Sequence, residues 1–277
     1  MKTWFITGAS RGLGLEIARA ALEAGDNVAA TARNLQHIED ALPGHGDRLL
    51  PLRLDVTDPT TIAAAVEAAK SRFQRIDILV NNAGYGQLGT FEEVSSDTVA
   101  RQFATNVFGV FDVTRAILPI MRTQRAGHVV NIASTAGVYG FEGASIYVAT
   151  KHAIAGWSES LSREVSPFGI KVTSVYPGMF RTDFLDDSSV RFGDQTIDDY
   201  AAFSAGHRQA LDAGNHQQSG DPVKFGALML ELVKAEQPPI WLAAGSDAYE
   251  VFTGKSKALS ENAERWKSLT LSTDFEA

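Results

Sequence analysis

The chain has 277 residues, 44% of them hydrophobic, with 25 basic and 33 acidic side chains and a net charge of −8. This length can bury the core of one large α/β domain, and the acidic balance argues against a general nucleic-acid binder. The absence of cysteine excludes disulfides and thiolate chemistry, no apolar run approaches a membrane span, and residues 1–7 are too short for a secretory leader, so a soluble cytoplasmic protein is expected.

In chain order, residues 3–7 (TWFIT) form a short run of β-prone residues ended by Gly8, which predicts a buried first strand. A helix follows from Gly12 to Ala24, stopped by Gly25, and then a second strand at 27–32. Residues 49–54 are a third strand, weakened by Pro51. Asp58-Pro59 starts an alanine-rich helix to Phe73. Further strands are expected at 76–80, 128–133, 170–176 and 240–243, and further helices at 96–118 (with Pro119 near its end), 145–165 and 221–235. This alternation predicts a doubly wound parallel sheet of about seven strands with helices on both faces, in one domain spanning 1–277.

Between the first strand and first helix lies Thr7-Gly8-Ala9-Ser10-Arg11-Gly12-Leu13-Gly14. Gly8 permits a tight turn, Gly12 lets the backbone approach a pyrophosphate, and Gly14 lets helix and strand pack closely. The helix N-terminus offers unpaired N–H groups to phosphates. This reads as a dinucleotide site, with an ordinary strand–helix turn as the alternative. The second strand ends Ala32-Arg33-Asn34, where an NAD site usually carries an acidic residue for the ribose 2′-hydroxyl. Arg33 stands there instead, with Arg11 in the loop, and two guanidiniums suit a 2′-phosphate. NADP (NADPH) is the expected cofactor. Asp55 is a candidate acceptor for the adenine amino group, with helix capping as its alternative role. Asn82 and Gly84 follow the fourth strand on the carboxyl edge, where ligands bind in such sheets.

Tyr147 and Lys151 stand four positions apart in a segment that reads as helix, so both side chains share one face. An ammonium one turn away favours the phenolate, and lowering a tyrosine by about three pK units takes roughly 4 kcal/mol. The pair alone is common, and its weight comes from the rest of the chain.

Together these residues resemble the short-chain dehydrogenase/reductase family: the T-G-x3-G-x-G loop from Thr7 to Gly14, Asp55, Asn81-Asn82-Ala83-Gly84, Asn106, Ser134, Tyr147-x3-Lys151 and Pro177-Gly178. The motifs run in the family's order across residues 3 to about 182. The resemblance implies a Rossmann-like oxidoreductase acting on a carbonyl/alcohol pair. In it Tyr147 is the general acid/base, and Lys151 lowers its pKa and holds the nicotinamide ribose. Ser134 orients the substrate carbonyl. Asn106 holds a water linking Lys151 to solvent, with bonding to backbone as its alternative. The cofactor set it implies is Gly8, Ser10, Arg11, Gly12, Leu13, Gly14, Arg33, Asp55, Asn82, Gly84, Tyr147, Lys151, Pro177, Gly178 and Thr182. Members are commonly dimers or tetramers joined through the two long helices, so a homo-oligomer is expected. A non-catalytic dinucleotide sensor or scaffold is the rival reading; such proteins typically lose the tyrosine or lysine. Epimerases and dehydratases on the same sheet usually carry a different glycine spacing and a longer substrate domain.

Residues 183–220 lack a strand pattern and read as a substrate loop or lid, with helix near 197–212 and the scattered apolar residues Phe184, Leu185, Phe192, Tyr200, Phe203 and Leu211. Gln87, Leu88, Phe141 and Met179 are expected as further walls. A partly hydrophobic carbonyl compound is the expected substrate. The tail, 246–277, reads as two short helices with Leu259, Ala263, Trp266 and Leu269 at helical spacing. The six histidines show no local pairing with carboxylates, so no metal site is expected.

Overall fold

The structure is a computed structural model describing residues 1–187 and 189–275. Residue 188, inside the expected lid, and residues 276 and 277, at the end of the expected tail, lie outside the described residues.

The elements are β1 (Thr3–Thr7), α1 (Gly12–Glu23), β2 (Asn27–Ala32), α2 (Gln36–Ala41), β3 (Leu49–Arg53), α3 (Pro59–Phe73), β4 (Ile78–Asn81) and β5 (Gly86–Gln87). They continue with α4 (Ser96–Phe103), α5 (Gly109–Gln124), β6 (Gly127–Ile132), α6 (Ser145–Val165), β7 (Ile170–Pro177) and β8 (Val190–Arg191). The last are α7 (Ala201–Gly214), α8 (Pro222–Lys234), β9 (Trp241–Ala244) and α9 (Ser246–Leu271). Seven strands form one parallel sheet in the order β3-β2-β1-β4-β6-β7-β9.

The period-2 alternation of the strands sorts the core onto two faces. Trp4, Ile6, Val28, Ala30 and Val80 point to one side, against Ile17 and Leu22 of α1 and Phe225 and Met229 of α8. Phe5, Ala29, Leu79 and Val129 point to the other, against Ile62 and Val66 of α3, Val113 and Ile117 of α5 and Leu161 of α6. The chain moves outward from β1 to β3 and then crosses back to β4 on the opposite side. That reversal opens a crevice at the carboxyl ends of β1 and β4.

Pro51 is tolerated because β3 is an edge strand and pairs only with β2. Several expectations are corrected. The helix expected at 96–118 is α4, a π-helical turn at Ala104–Phe108, and α5; Pro119 lies inside α5, which runs on to Gln124. This continuous run, Ser96–Gln124, has a most apolar window of mean hydropathy 1.2, long and apolar enough to cross a membrane by length and composition. Much of that character is an inward stripe, with Val110, Val113, Ile117 and Met121 buried. The lid does contain a strand, β8, paired in parallel with β5. The tail is one helix, α9, not two.

Candidate active site

The crevice is built by hydrogen bonds between the turns after β1 and β4. The Thr7 hydroxyl accepts from the backbone N–H of Asn82 (2.9 Å) and Ala83 (3.0 Å). The Asn82 side-chain amide donates to the carbonyls of Thr7 (3.0 Å) and Gly8 (2.9 Å). Gly8 and Gly12 have φ of +67° and +56°, backbone that favours glycine. A Cβ on Gly14 would lie 2.3 Å from the Gly8 carbonyl oxygen, so only glycine lets α1 approach this turn. α3, α4 and α8 have side-chain caps from Asp58, Ser95 and Asp221, whereas α1 begins after Arg11 with no side-chain cap bond. The first turn of a helix offers backbone N–H groups of the kind a pyrophosphate requires. Ser10 lies in the same turn, and Leu13 sends its side chain into the core beneath. These residues fit a dinucleotide.

Arg33 is exposed at the end of β2. Asp55, just past β3, accepts from the backbone N–H (2.9 Å) and hydroxyl (2.7 Å) of Thr57. Burial pushes its carboxyl up, but the Thr57 bonds and the charges of Arg33 and Arg53 outweigh this and hold it below its ordinary value. The capping alternative belongs to Asp58, which accepts from Thr60 N–H.

On α6, Tyr147 and Lys151 lie one turn apart as the spacing required, with Lys151 Nζ 5.7 Å from the centre of the Tyr147 ring. Ser134 follows β6; its hydroxyl accepts from Ala136 N–H (3.1 Å) and stands beside the Tyr147 hydroxyl. Burial pushes the Tyr147 hydroxyl up to about 12, opposed by the neighbouring Ser134 hydroxyl. Burial pushes Lys151 down to about 8. The expected lowering of Tyr147 by Lys151 is therefore absent from this arrangement: desolvation dominates both groups, and the ammonium is held by the Ile132 carbonyl at 2.8 Å.

Asn106 is buried in the π-helical turn. Its amide donates to the Tyr85 carbonyl (2.9 Å) and the Thr150 hydroxyl (3.3 Å), and its oxygen accepts from Tyr85 N–H (3.2 Å). The side chain is spent on the turn after β4, the backbone-bonding alternative of the sequence reading. Gln102, one turn earlier, donates to the same Tyr85 carbonyl at 3.1 Å. A Cβ on Gly84 would meet Asn106 Oδ1 at 3.2 Å, so the two pack closely.

At the end of β7, Pro177-Gly178 turns against the first turn of α9. Met179 N–H donates to Asp247 Oδ2 at 2.7 Å, and a Cβ on Gly178 would lie 2.0 Å from Asp247 Oδ1. Thr182 lies over Gly12, whose Cβ would be 3.7 Å from it. Phe184 faces Tyr147, ring centres 6.0 Å apart. Gln87 and Leu88 are buried; Gln87 donates to the Phe192 carbonyl at 2.9 Å. Phe141 and Met179 are half exposed. Gln102, Thr150 and Asp247 escaped the sequence reading, because their partners lie 17 to 68 positions away and no local pattern marks them.

His216 meets a carboxylate distant in sequence: its Nε2 lies 3.2 Å from Asp186 Oδ1, 30 residues earlier in the chain. Asp183, Asp186 and His216 bring their ligand atoms within 4.8 Å of one another at the surface. Asn215 also donates to Asp186, at 2.6 Å.

The sheet order, the glycine turn at its crevice and the Ser134–Tyr147–Lys151 group define a dinucleotide-binding α/β oxidoreductase. The short chain dehydrogenase family model matches residues 2–191, and the chain belongs to that family. It is 38% identical over 274 residues to Oxidoreductase BOA17 of Botryotinia fuckeliana, covering 98% of this chain and 99% of that protein. It is 34% identical over 259 residues to a 3-ketodihydrosphingosine reductase of Bacteroides thetaiotaomicron, covering 93% of each. A short-chain dehydrogenase from Streptomyces avermitilis superposes with a TM-score of 0.91 at 40% identity, covering 99% of both chains. Structural neighbours hold either nicotinamide cofactor. A serine dehydrogenase complexed with NADP+ (TM-score 0.74, 26% identity, 87% of this chain and 94% of that one) is one. A family member from Burkholderia phymatum with NAD (TM-score 0.81, 24% identity, 95% and 94%) shares the fold.

Proposed function

We propose that this protein is an NADP-dependent oxidoreductase that interconverts a carbonyl and a secondary alcohol, with Tyr147 as general acid/base. The observation that carries this reading is Tyr147 with buried Lys151 one turn below it, the ammonium 5.7 Å from the ring centre and held by the Ile132 carbonyl, with Ser134 beside the phenol at the crevice. NADPH, when bound, supplies the hydride. A phenol held near 12 is fully protonated at neutral pH, which suits proton donation to a nascent alkoxide. Ser134 orients the carbonyl, and Lys151 holds the nicotinamide ribose. The backbone of Gly8, Ser10, Arg11, Gly12, Leu13 and Gly14 cradles the pyrophosphate. Arg33 and Arg11 take the 2′-phosphate and Asp55 the adenine amino group. Asn82, Gly84, Pro177, Gly178 and Thr182 border the nicotinamide half. Asn106 acts by positioning the turn at Tyr85.

The exposed aromatics near the site support a substrate with an apolar body. The relative named as a reductase of a keto compound supports the reducing direction. Half-exposed Phe108 on the long helix and Leu259, Trp266 and Leu269 on α9 support a homo-oligomer, which light scattering of the purified chain tests. A cytoplasmic location fits an NADPH-driven reduction and is tested by cell fractionation. The deciding experiment follows NADPH oxidation with a carbonyl panel for wild type and Tyr147→Phe. Turnover that falls at least about a hundredfold in the variant supports the assignment. Equal turnover by both proteins overturns it. Tight NADPH binding without turnover of any carbonyl favours a non-catalytic sensor.

A further inference from the structure

An open cleft of about 390 Å³ lies between the loop after β5, the segment before α6 and the lid helix α7. Gly89, Phe91, Phe141, Gly143, Ser145 and Phe203 line it, and its surface is predominantly carbon. Phe91, Phe141 and Phe203 are 66%, 41% and 38% exposed, so three phenyl rings around one opening are left to water. Single exposed apolar residues are ordinary; a cluster around a concavity marks a binding surface.

The walls are fixed. Gly89 N–H donates to the Gly143 carbonyl at 2.7 Å, which ties two of the three walls together. α7 closes on the third side: a Cβ on Gly143 would lie 2.4 Å from His207 Nδ1, and the Phe203 and His207 rings are 5.6 Å apart. α7 is held in turn by Ser204, which donates to Glu93 at 2.6 Å, and by Tyr200, which donates to Glu92 at 2.5 Å.

The cleft is joined to the chemistry on two sides. Ser145 opens the helix that carries Tyr147 two residues on. The segment beginning at Ser134 runs through Tyr139, whose ring packs on Phe141 at 5.2 Å. No basic residue lines the cleft, and its only charged residue is Glu142, so it has nothing to pair with an anionic tail.

We propose that this cleft binds an uncharged aliphatic chain of the carbonyl substrate, leading away from the carbonyl held at Ser134 and Tyr147. The proposal rests on the reading of those two residues as the reacting site. The test uses a series from 2-butanone to 2-dodecanone with NADPH, on wild type, Phe203→Ser and Ser145→Trp. Neither residue belongs to the reacting group, and both are surface positions whose replacement leaves the core intact. In wild type kcat/KM should rise at least about tenfold along the series, as added methylenes leave water. Both variants should lose that rise while turning over 2-butanone within about twofold of wild type. Equilibrium dialysis of 2-dodecanone reports on the cleft without turnover. Chain-length dependence that is flat, or that survives both substitutions, overturns the proposal. So does 2-dodecanone binding that the variants leave unchanged. Binding that Ser145→Trp abolishes, with no ketone turned over by wild type, upholds the cleft and instead removes the reacting-site reading.

Discussion

Lys151 donates from Nζ to the Ile132 carbonyl at 2.8 Å while standing 5.7 Å from the centre of the Tyr147 ring. The end of β6 thus fixes the ammonium beneath the phenol. Burial depresses Lys151 to about 8 and raises Tyr147 to about 12, so within the physiological range the lysine is the group whose charge changes. We expect kcat/KM for NADPH to be constant below about pH 7 and to fall above about pH 8, as Nζ loses its proton and its hold on the ribose. Lys151→Met should remove most activity at every pH. The sign for stability is opposite to that for activity. Because the folded pKa lies below the unfolded value, the unfolded chain binds the extra proton between about pH 8 and about pH 10.5, and stability rises with pH through that window. Denaturant titrations at both ends of the window should show the rise in wild type and lose this contribution in Lys151→Met.

Gly14 gives a steric prediction. A methyl group there would sit 2.3 Å from the Gly8 carbonyl oxygen and 2.4 Å from Asn82 Nδ2, so both the phosphate turn and its brace to β4 would have to move. Gly14→Ala should cost about 1–3 kcal/mol of stability and weaken NADPH binding. Gly156 is the control: it lies within α6, and nothing lies within 4 Å of its Cβ position. Gly156→Ala should stabilise the chain by roughly 0.5–1 kcal/mol with unchanged NADPH affinity. Thermal melts with and without NADPH separate the two, and a Gly14→Ala protein that binds NADPH like wild type would refute the turn's role.

The sequence exposed those features whose causes are local. Buried strands such as Thr3–Thr7 announce themselves by β-prone apolar runs, and the glycine turn by the backbone freedom it needs. Tyr147 and Lys151 are visible as a pair because helical spacing alone puts them together. α2 leaves no periodic signal in the sequence, because its six residues are less than two turns and bury only Ile38. The β5–β8 pair is equally silent, because two-residue strands lie below any periodicity and their partners are about a hundred positions apart. α9 runs unbroken through Gly254: with nothing near its Cβ position, glycine there costs the helix about 1 kcal/mol and does not end it. The direction of the Tyr147 shift is not legible in the sequence, because desolvation is a property of the packed site, whereas the spacing reports only the neighbouring charge.

Arg33 and Asp55 make cofactor choice testable. Arg33 is exposed and helps to hold Asp55 below its ordinary value, so the rim of the adenine side carries a positive charge beside a carboxylate. Arg33→Asp should lower kcat/KM for NADPH by about ten- to a hundredfold, because it removes a charge-assisted phosphate contact and adds a repulsive one. The same variant should hold or improve the value for NADH, since a carboxylate there accepts from the ribose 2′-hydroxyl. Steady-state kinetics with both cofactors decide it. Equal loss with both would mean that Arg33 supports the fold of the rim and not the choice of cofactor.

His128 sits inside the sheet on β6, 5% exposed, with its Nε2 2.9 Å from the Thr173 hydroxyl. That hydroxyl spends its proton on the Pro239 carbonyl at 2.8 Å, so the ring nitrogen must be the donor, and the ring is neutral with its proton on Nε2. Burial first, then the charges of Lys171 and Lys2, push His128 down to about 3. The unfolded chain titrates near the ordinary histidine value, so between about pH 6.5 and about pH 3 it binds a proton that the fold refuses. Stability should therefore fall as the pH drops through that window, by an amount on the order of a few kcal/mol at its acid end. His128→Gln keeps a side-chain donor toward Thr173 and cannot titrate. Urea denaturation at about pH 7 and about pH 4.5 should show a clearly smaller acid loss in the variant than in wild type. An identical loss in both proteins would assign the acid sensitivity to carboxylates such as Asp55, whose lowered pKa acts in the same direction.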